Sequence, residues 1–459
     1  MYQLGVKRNS PLGRGIGRGK MAKKFYLKTF GCRTNQADSA AIREQFLTLD
    51  FQETDGPKQA DVIVVNSCTV THRSDQQVRQ MTRKLHRENP KARIILTGCY
   101  AQRAPETLAA LGGVSAVIGN SHKDQVAALG TGRGEKPSLL YQAELAEVFR
   151  DDFTRARSIL AIPATETGGR TRPFIKIQDG CDAKCTYCII PQVRGPSRSV
   201  PPELVCEQCR DLVTAGFKEI VLTGIHIGTY GMHLKPRSSL DRLLTEIMAV
   251  PGLERVRLSS VEPMQLSRRV TALAADSQQI APHFHICLQS GSDRILKKML
   301  RPYNTARFGE IVEEIHRRIP DAAIGTDVIA GFPGETDRDH RETVDFVTRM
   351  PFTYLHVFPY SDRSGTTASE MSLKVEPPTT KSRGEELRQI SDEKNRLFRR
   401  RFVGKALSVL TLGETKGQMR TAISGNYLKA KIDPGIPANQ ILEGKVVSEG
   451  DDGYLVLEV

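Results

Sequence analysis

Long apolar runs are absent from this sequence of 459 residues. No stretch of about 18 consecutive apolar residues occurs, which excludes a predicted membrane-spanning helix and a membrane partner. Residues 1–24 contain seven lysines and arginines and no acidic residue, but they lack the apolar segment of a secretory signal. We therefore expect a cytoplasmic protein whose residues 1–22 form a disordered basic tail.

A fourth cysteine is missing from the densest cysteine cluster. Cys181, Cys185 and Cys188 follow the spacing C-x₃-C-x₂-C in "GCDAKCTYCIIP", and no further local ligand accompanies them. Thiols stay reduced in the cytoplasm, so nine cysteines favour metal binding or chemistry over disulfides. Structural zinc sites usually close with four ligands, whereas three thiolates suit a metal centre with one open position.

The formal net charge of +14 indicates a polyanionic partner, but half of the excess lies in the tail. The rest is concentrated in two stretches, 79–93 and 394–405. Such stretches are solvated helix faces or RNA contacts, and charge alone leaves both readings open.

Strands that end in cysteines characterise residues 23–131, which we predict to be a small parallel α/β domain. The apolar runs "KFYLKTFGC", "ADVIVVNSCTV" and "ARIILTGCYAQ" lead into Cys32, Cys68 and Cys99. The carboxyl ends of parallel strands share one sheet edge, so these thiols can converge on a single point. A second metal centre is favoured over three unrelated buried cysteines.

A longer series of strands and helices begins near Arg172. Six candidate strands, from "PFIKIQDGC" to "YLHVFPYS", predict a complete or partial parallel barrel with its site at the carboxyl ends of the strands. From Gly404, short strands with glycine-rich turns predict a small antiparallel barrel of a kind often used for oligonucleotides. Residues 401–459 carry seven basic and seven acidic side chains, so this barrel is neutral. The predicted domains are 23–131, a linker at 132–166 with a possible edge element, a barrel core at 167–398 and a small barrel at 399–459.

The C-x₃-C-x₂-C motif with Tyr187 before its last cysteine resembles the radical S-adenosylmethionine (SAM) superfamily. That resemblance implies a 4Fe-4S cluster on Cys181, Cys185 and Cys188, whose open iron binds SAM before its reductive cleavage. It also implies SAM contacts in "LTGIHIG", in "DVIAGFPGE" and at strand ends, although a loop or capping role remains the alternative for each residue. The expected contacts are Tyr187, Thr223, Gly224, Glu262, Gln289, Arg294 and Gly331.

The motifs "GCRTNQ", "NSCTVT" and "TGCYAQ" around Cys32, Cys68 and Cys99 resemble the N-terminal domain of the methylthiotransferases. The order of domains matches that family from about Lys23 onward, ending in a TRAM barrel. The resemblance implies a second 4Fe-4S cluster on these three cysteines. "GCRTNQ" with "SCTVT" is most similar to the branch that acts on threonylcarbamoyladenosine in tRNA.

The resemblance implies that methylthio is transferred to C2 of N6-threonylcarbamoyladenosine beside the anticodon, with a 5′-deoxyadenosyl radical removing the hydrogen. Its implied partners are tRNA, SAM and an electron donor such as flavodoxin or ferredoxin. Isopentenyladenosine in tRNA and an aspartate of a ribosomal protein are alternative substrates within the family. An iron–sulfur RNA-binding or electron-carrier protein without radical chemistry is the alternative from another class.

Three further cysteines have no place in these motifs. Cys206 and Cys209 lie three residues apart on a predicted helix, so they share one face, and packing is favoured over a redox pair or a metal site. Cys287 falls within a predicted strand and is expected to be buried.

Overall fold

A computed structural model describes residues 22–133, 141–142, 146–153 and 169–459. The predicted basic tail, apart from Ala22, and most of the predicted linker lie outside these residues.

The first domain is a seven-stranded sheet with the strand order β2-β1-β3-β4-β5-β7-β6. All of its strand pairs are parallel except β6 with β7. Every residue of β3 is buried, as expected for a parallel strand covered on both faces. Because β6 and β7 fall inside the predicted linker, the sheet extends beyond residue 131. The elements are β1 (Lys24–Thr29), α1 (Arg33–Thr48), β2 (Gln52–Glu53), β3 (Val62–Ser67), α2 (His72–Glu88), β4 (Arg93–Gly98), α3 (Cys99–Arg103), α4 (Pro105–Ala109), β5 (Val114–Ile118), α5 (Val126–Thr131), β6 (Tyr141–Gln142) and β7 (Glu147–Phe149).

The central domain is an open parallel barrel, in agreement with the predicted strands. The ladders β8-β11-β12 and β13-β14-β15 are joined by bridges from Val256 to Ile280 and from Val261 to Ile286. Within the described part of the chain β8 and β15 are not paired, so the barrel is open along that side. Its elements are β8 (Phe174–Lys176), β9 (Gln178–Asp179), α6 (Ile190–Arg194), β10 (Arg198–Ser199), α7 (Pro202–Thr214), β11 (Glu219–Thr223), α8 (Leu240–Met248), β12 (Arg255–Leu258), α9 (Arg268–Asp276), β13 (His283–His285), α10 (Asp293–Lys298), α11 (Thr305–Arg318), β14 (Ala323–Ala330), α12 (Asp337–Arg349), β15 (Tyr354–Pro359), α13 (Thr367–Glu370) and α14 (Pro377–Arg400).

The last domain is a closed five-stranded barrel with the order β16-β17-β18-β20-β19. Its strands follow the predicted short runs with their glycine-rich turns, and the architecture is consistent with a TRAM barrel. They are β16 (Ala406–Lys416), β17 (Met419–Ser424), β18 (Lys429–Ile432), β19 (Ile441–Glu449) and β20 (Leu455–Glu458). No helix in the described ranges is both long enough and apolar enough to cross a bilayer.

The basic stretch 394–405 joins domains in this structure. Arg399 donates to Glu449 of β19 at 2.7 Å, and Arg401 pairs with Asp321 of the central domain at 3.0 Å. Arg400 keeps 59% of its side chain exposed. This stretch therefore anchors α14 to the small barrel. The guanidinium of Arg399 is occupied by its ion pair with Glu449 and is not available to contact RNA.

Packing explains Cys206 and Cys209, which lie on α7 within the apolar core of the central domain. Cys209 is fully buried and Cys206 is 8% exposed. Replacing either by alanine is expected to leave the iron content unchanged and to cost about 1 kcal/mol of stability. Iron analysis and thermal unfolding of the two variants check this; a loss of iron would instead identify a metal site.

Candidate active site

A tight loop after β9 carries Cys181, Cys185 and Cys188, here called the barrel triad. Gly180 precedes it with φ +76°, and a Cβ there would lie 2.0 Å from the carbonyl oxygen of Pro196. Only glycine fits this close approach. The N–H of Cys188 donates to the carbonyl of Cys185 at 3.0 Å, which turns the chain back between these two cysteines.

The thiols of the barrel triad have nitrogen donors around them. Arg301 donates from Nη1 to Sγ of Cys185 at 3.0 Å, and the N–H of Ala183 donates to Sγ of Cys181 at 3.4 Å. Burial, followed by the neighbouring thiols, raises the pKa of Cys188 to about 12. A bound cation is what would offset that cost and hold these groups as thiolates.

Cys32, Cys68 and Cys99, here called the N-terminal triad, meet at one edge of the first sheet. Cys68 and Cys99 directly follow β3 and β4, whose last residues are paired in register. Cys32 is exposed and follows Gly31, where a Cβ would lie 2.7 Å from Cβ of Cys68. Burial, and then the nearby Cys99 and Cys32, raise the pKa of Cys68 to about 12. The predicted convergence of three strand ends is present.

The two triads lie on facing sides of one domain boundary. Ile189 and Val193, just after the barrel triad, pack against Cys99 in a buried apolar cluster. Asn120 donates to Sγ of Cys99 at 3.5 Å and to the carbonyl of Val193 at 2.7 Å. The loop that carries one triad is therefore packed on the helix that carries part of the other.

Buried charges join the same two domains. Asp38 of α1 is fully buried and accepts from Lys123 at 2.7 Å, from Lys176 at 2.5 Å and from Arg194 at 3.0 Å. Asp179 pairs with Lys176 and Arg194 in turn. These five residues form the interdomain ion network. Arg194 also donates to Asn35, which lies three residues after Cys32 of the N-terminal triad. Asp179 and Arg194 lie on either side of the barrel triad in the sequence, so the network links the segments that carry both triads.

A pocket of about 230 Å³ opens beside the triads. Val70 and Thr71 of the loop after Cys68 form one wall, and the loop of the barrel triad forms another. The carboxyl ends of β14 and β15, together with Gln289 after β13, supply the rest, as expected for a parallel barrel. The lining residues are Val70, Thr71, Tyr187, Cys188, Ile189, Ile190, Gln289, Asp327, Ile329, Phe358, Pro359, Tyr360 and Ser361.

Only Tyr187 and Gln289 of the expected SAM contacts line this pocket. Thr223 is buried at the end of β11, and the carbonyl of Gly224 accepts from Thr34 of the first domain at 3.0 Å. Glu262 lies near the barrel triad, because it pairs with the Arg301 guanidinium that contacts Cys185.

Arg294 and Gly331 are held elsewhere. Arg294 pairs with Asp339 and donates to the carbonyl of Gly334, and its side chain is 46% exposed beside α12. A Cβ on Gly331 would lie 2.2 Å from Oγ1 of Thr380, so that glycine serves helix packing. The structure brings neither of them to the pocket.

Sequence reasoning missed Arg301 and the polar groups of the barrel wall. His285 and His356 contact Asp327 at 2.9 and 3.4 Å from neighbouring strands. Burial opposes ionisation of Asp327, but hydrogen bonds from the two histidines outweigh it and lower the pKa of the carboxyl. The alternation of polar and apolar residues in "HFHICLQS" and "YLHVFPYS" could have predicted these polar groups on the inner wall of the barrel.

The spacing of the thiols suits clusters better than single zinc ions. Within the described part of the chain, only His285, Asp327 and His356 place three ligand atoms all within 4.8 Å of one another. A tetrahedral zinc ion with Zn–S bonds of about 2.3 Å draws its sulfurs to about 3.8 Å. Each triad is more widely spread, has nitrogen donors at its sulfurs and offers three thiols without a fourth. That donor set fits an iron–sulfur cluster with one open iron.

Comparison with known proteins identifies both cysteine-bearing domains. Residues 24–119 match a family described as "Uncharacterized protein family UPF0004", and residues 175–347 match the radical SAM superfamily. The fold is similar to that of the radical SAM methyltransferase TsrM from Kitasatospora setae, with a TM-score of 0.57 over 76% of this chain and 77% of that one. At 15% identity this likeness concerns the fold alone.

Curated relatives extend the match to most of the chain. The chain is 37% identical to the threonylcarbamoyladenosine tRNA methylthiotransferase MtaB of Aquifex aeolicus, over 89% of this chain and 96% of that protein. The enzyme of the same name from Bacillus subtilis is 36% identical over 87% of this chain and 88% of its own length. A tRNA-2-methylthio-N(6)-dimethylallyladenosine synthase of Acetivibrio thermocellus is 32% identical over 86% of this chain and 82% of its own length. The chain therefore belongs to the radical SAM methylthiotransferase family, in the branch of the threonylcarbamoyladenosine tRNA methylthiotransferases.

Proposed function

We propose that this enzyme transfers a methylthio group to C2 of N6-threonylcarbamoyladenosine beside the anticodon of tRNA. The observation that carries the proposal is the meeting of two cysteine triads from different domains beside one pocket. Each triad would hold one 4Fe-4S cluster. When bound, these clusters supply reductive cleavage of SAM to a 5′-deoxyadenosyl radical at the barrel triad and sulfur at the N-terminal triad.

The chain's own residues bind, orient and shield the reactants. Tyr187 and Gln289 line the pocket in which we place SAM. Arg301 donates to Cys185 and pairs with Glu262, so it holds the Cys185 side chain in place while its own charge is balanced. The apolar Ile189, Ile190 and Ile329 exclude water from the pocket wall, which protects a radical from side reactions.

Val70 and Thr71 bring the N-terminal triad close to the same pocket, because they lie two and three residues after Cys68. Asp75 fixes this loop by accepting from Thr69 at 2.6 Å and from Arg363 of the central domain at 2.6 Å. C2 of a base placed next to SAM, on the side of Val70 and Thr71, would then lie between the source of the radical and the source of the sulfur, which is the positioning that the transfer requires.

The positive charge that contacts tRNA would come from residues 79–93, which span the second half of α2 and the segment that leads to β4, together with Arg400 at the end of α14. The helix face around Lys84 is exposed, whereas Arg79 donates to Tyr100 at 2.7 Å. The neutral small barrel would contribute shape rather than charge. We assign the reaction to the cytoplasm because none of the nine cysteines forms a disulfide. The electron donor would be a protein such as flavodoxin or ferredoxin.

Cells that lack the gene are expected to contain N6-threonylcarbamoyladenosine without its 2-methylthio derivative. Nucleoside analysis of their tRNA by mass spectrometry checks this, with re-expression of the wild-type gene as the control. Loss of 2-methylthio-isopentenyladenosine, or of a methylthio-aspartate in a ribosomal protein, would instead assign the enzyme to another branch. Absence of 5′-deoxyadenosine from reduced enzyme with SAM would point to a non-radical iron–sulfur protein.

A further inference from the structure

Three domains meet at Tyr427 of the small barrel. Its hydroxyl accepts from Nη2 of Arg33 at 3.0 Å, and its ring stacks on His283 with 4.4 Å between centroids. The guanidinium carbons of Arg33, Arg172 and Arg257 lie 5.7, 5.9 and 5.2 Å from the ring centroid. These three side chains are here called the arginine cluster.

The arginine cluster has more positive charge than its surroundings neutralise. The buried carboxylate of Glu219 is shared by Arg257 at 2.8 Å, Arg255 at 3.3 Å and Arg172 at 3.8 Å. Arg33 pairs with no carboxylate among the described residues; its hydrogen bond goes to the phenol of Tyr427.

Two pKa shifts agree with an excess of positive charge. Burial opposes ionisation of Tyr427, yet the arginine cluster outweighs it and lowers the pKa of the phenol. Burial lowers the pKa of Arg172, Glu219 and then Tyr427 oppose this, and Arg257 and Arg33 lower it further. Unbalanced buried charge is costly, so an anion that enters here gains affinity.

The backbone of Arg33 lies next to the N-terminal triad, because Arg33 directly follows Cys32, which is exposed. Its half-buried side chain reaches Tyr427, near His283 and Tyr354 of the barrel. In an adenine, C2 and the carbon that bears N6 both flank N1. A base with C2 at the N-terminal triad therefore has its N6 substituent within reach of a long side chain that begins at the same place.

We propose that the arginine cluster, with Arg33 in front, binds the carboxylate of the N6-threonylcarbamoyl group. This inference rests on the proposed function and adds the group that selects the substrate. Arginine pairs with carboxylates through two parallel hydrogen bonds, and Arg33 has nitrogen donors free for them beside its bond to Tyr427. An uncharged isopentenyl group would leave the arginine charge unmet, so the cluster both favours the acidic substituent and disfavours the apolar one.

The test compares three anticodon stem-loop RNAs that differ only at the target base: threonylcarbamoyladenosine, its threonine carboxamide analogue and adenosine. Wild-type holoenzyme is expected to bind the carboxylate RNA about tenfold or more tightly than the carboxamide. Arg33→Gln should remove that preference and leave the affinities for the carboxamide and adenosine RNAs unchanged. Arg307→Gln, a change of equal charge on the exposed face of α11, should keep the preference.

Tyr427→Phe separates substrate binding from domain packing, because it removes the hydrogen bond to Arg33 but retains the arginine. The preference for the carboxylate RNA should survive in this variant. An Arg33→Gln effect of equal size on all three RNAs, with a flatter salt dependence, would indicate a phosphate contact and overturn the inference. An unchanged preference would also overturn it. Failure of the wild-type enzyme to methylthiolate the carboxylate RNA would instead contradict the proposed function.

Discussion

Replacing all three cysteines of the barrel triad by alanine is expected to abolish reductive cleavage of SAM. Replacing the N-terminal triad should leave that cleavage largely intact and eliminate the methylthio product. Each triad lies on its own domain, so loss of one set of thiolates should not strip the other cluster. The measurements are 5′-deoxyadenosine release without RNA, methylthio nucleoside with RNA, and iron content.

Iron should fall by about half in either triple variant, since each would retain one cluster of equal size. The matched control is a variant with Cys206 and Cys209 replaced, which removes buried thiols from the apolar core but none from the site. Full iron and methylthioadenosine formation in the N-terminal triad variant would show that those cysteines only pack. The sulfur-carrying role would then be wrong, even with radical chemistry intact in the barrel.

Replacing Asp38 by alanine is expected to destabilise the protein by about 3–5 kcal/mol, as measured by urea unfolding. The variant leaves buried Lys176 and Arg194 with Asp179 as their remaining carboxylate partner in the network, and it removes the network's only carboxylate partner of Lys123. Because Lys176 and Arg194 belong to the central domain and Asp38 to the first, the loss should also loosen the domain boundary. Faster amide hydrogen exchange in α1 would report this.

The control for that change is Glu310→Ala, which breaks an exposed ion pair on α11 and should alter stability by less than about 1 kcal/mol. Burial alone would raise the pKa of Asp38, but Lys123, Lys176 and Arg194 lower it well below its ordinary value. Its stabilising contribution is therefore fully present above about pH 4 and decreases as pH falls toward the lowered pKa. Equal stability of Asp38→Ala and wild type at neutral pH would contradict a role for the network.

The sequence was sufficient to predict the cysteine positions because the chemistry and the strand ends coincide. Apolar runs that end at Cys32, Cys68 and Cys99 predict neighbouring strand ends, and the structure places them so. The barrel triad is local in sequence, so its spacing was enough to predict a metal centre with three protein ligands there. The six barrel strands were recognisable because each is a short apolar run bounded by turn residues.

Contacts between distant segments were beyond sequence reasoning. Arg301 reaches Cys185 across more than a hundred residues, and nothing in "MLRPYN" marks it for that contact. Arg294 was expected at the site from its position after a strand, but Asp339 of α12 captures it. In the sequence nothing distinguishes Asp38 from an ordinary helix residue, and only the fold brings three cationic side chains from distant segments around it.

The most direct test of the account uses purified, reconstituted enzyme, SAM, a reductant and an anticodon stem-loop that contains N6-threonylcarbamoyladenosine. This base is expected to gain one methylthio group in place of the hydrogen at C2, with 5′-deoxyadenosine as co-product, as mass spectrometry of the digested RNA would show. Release of 5′-deoxyadenosine with no change in the mass of that base would contradict it.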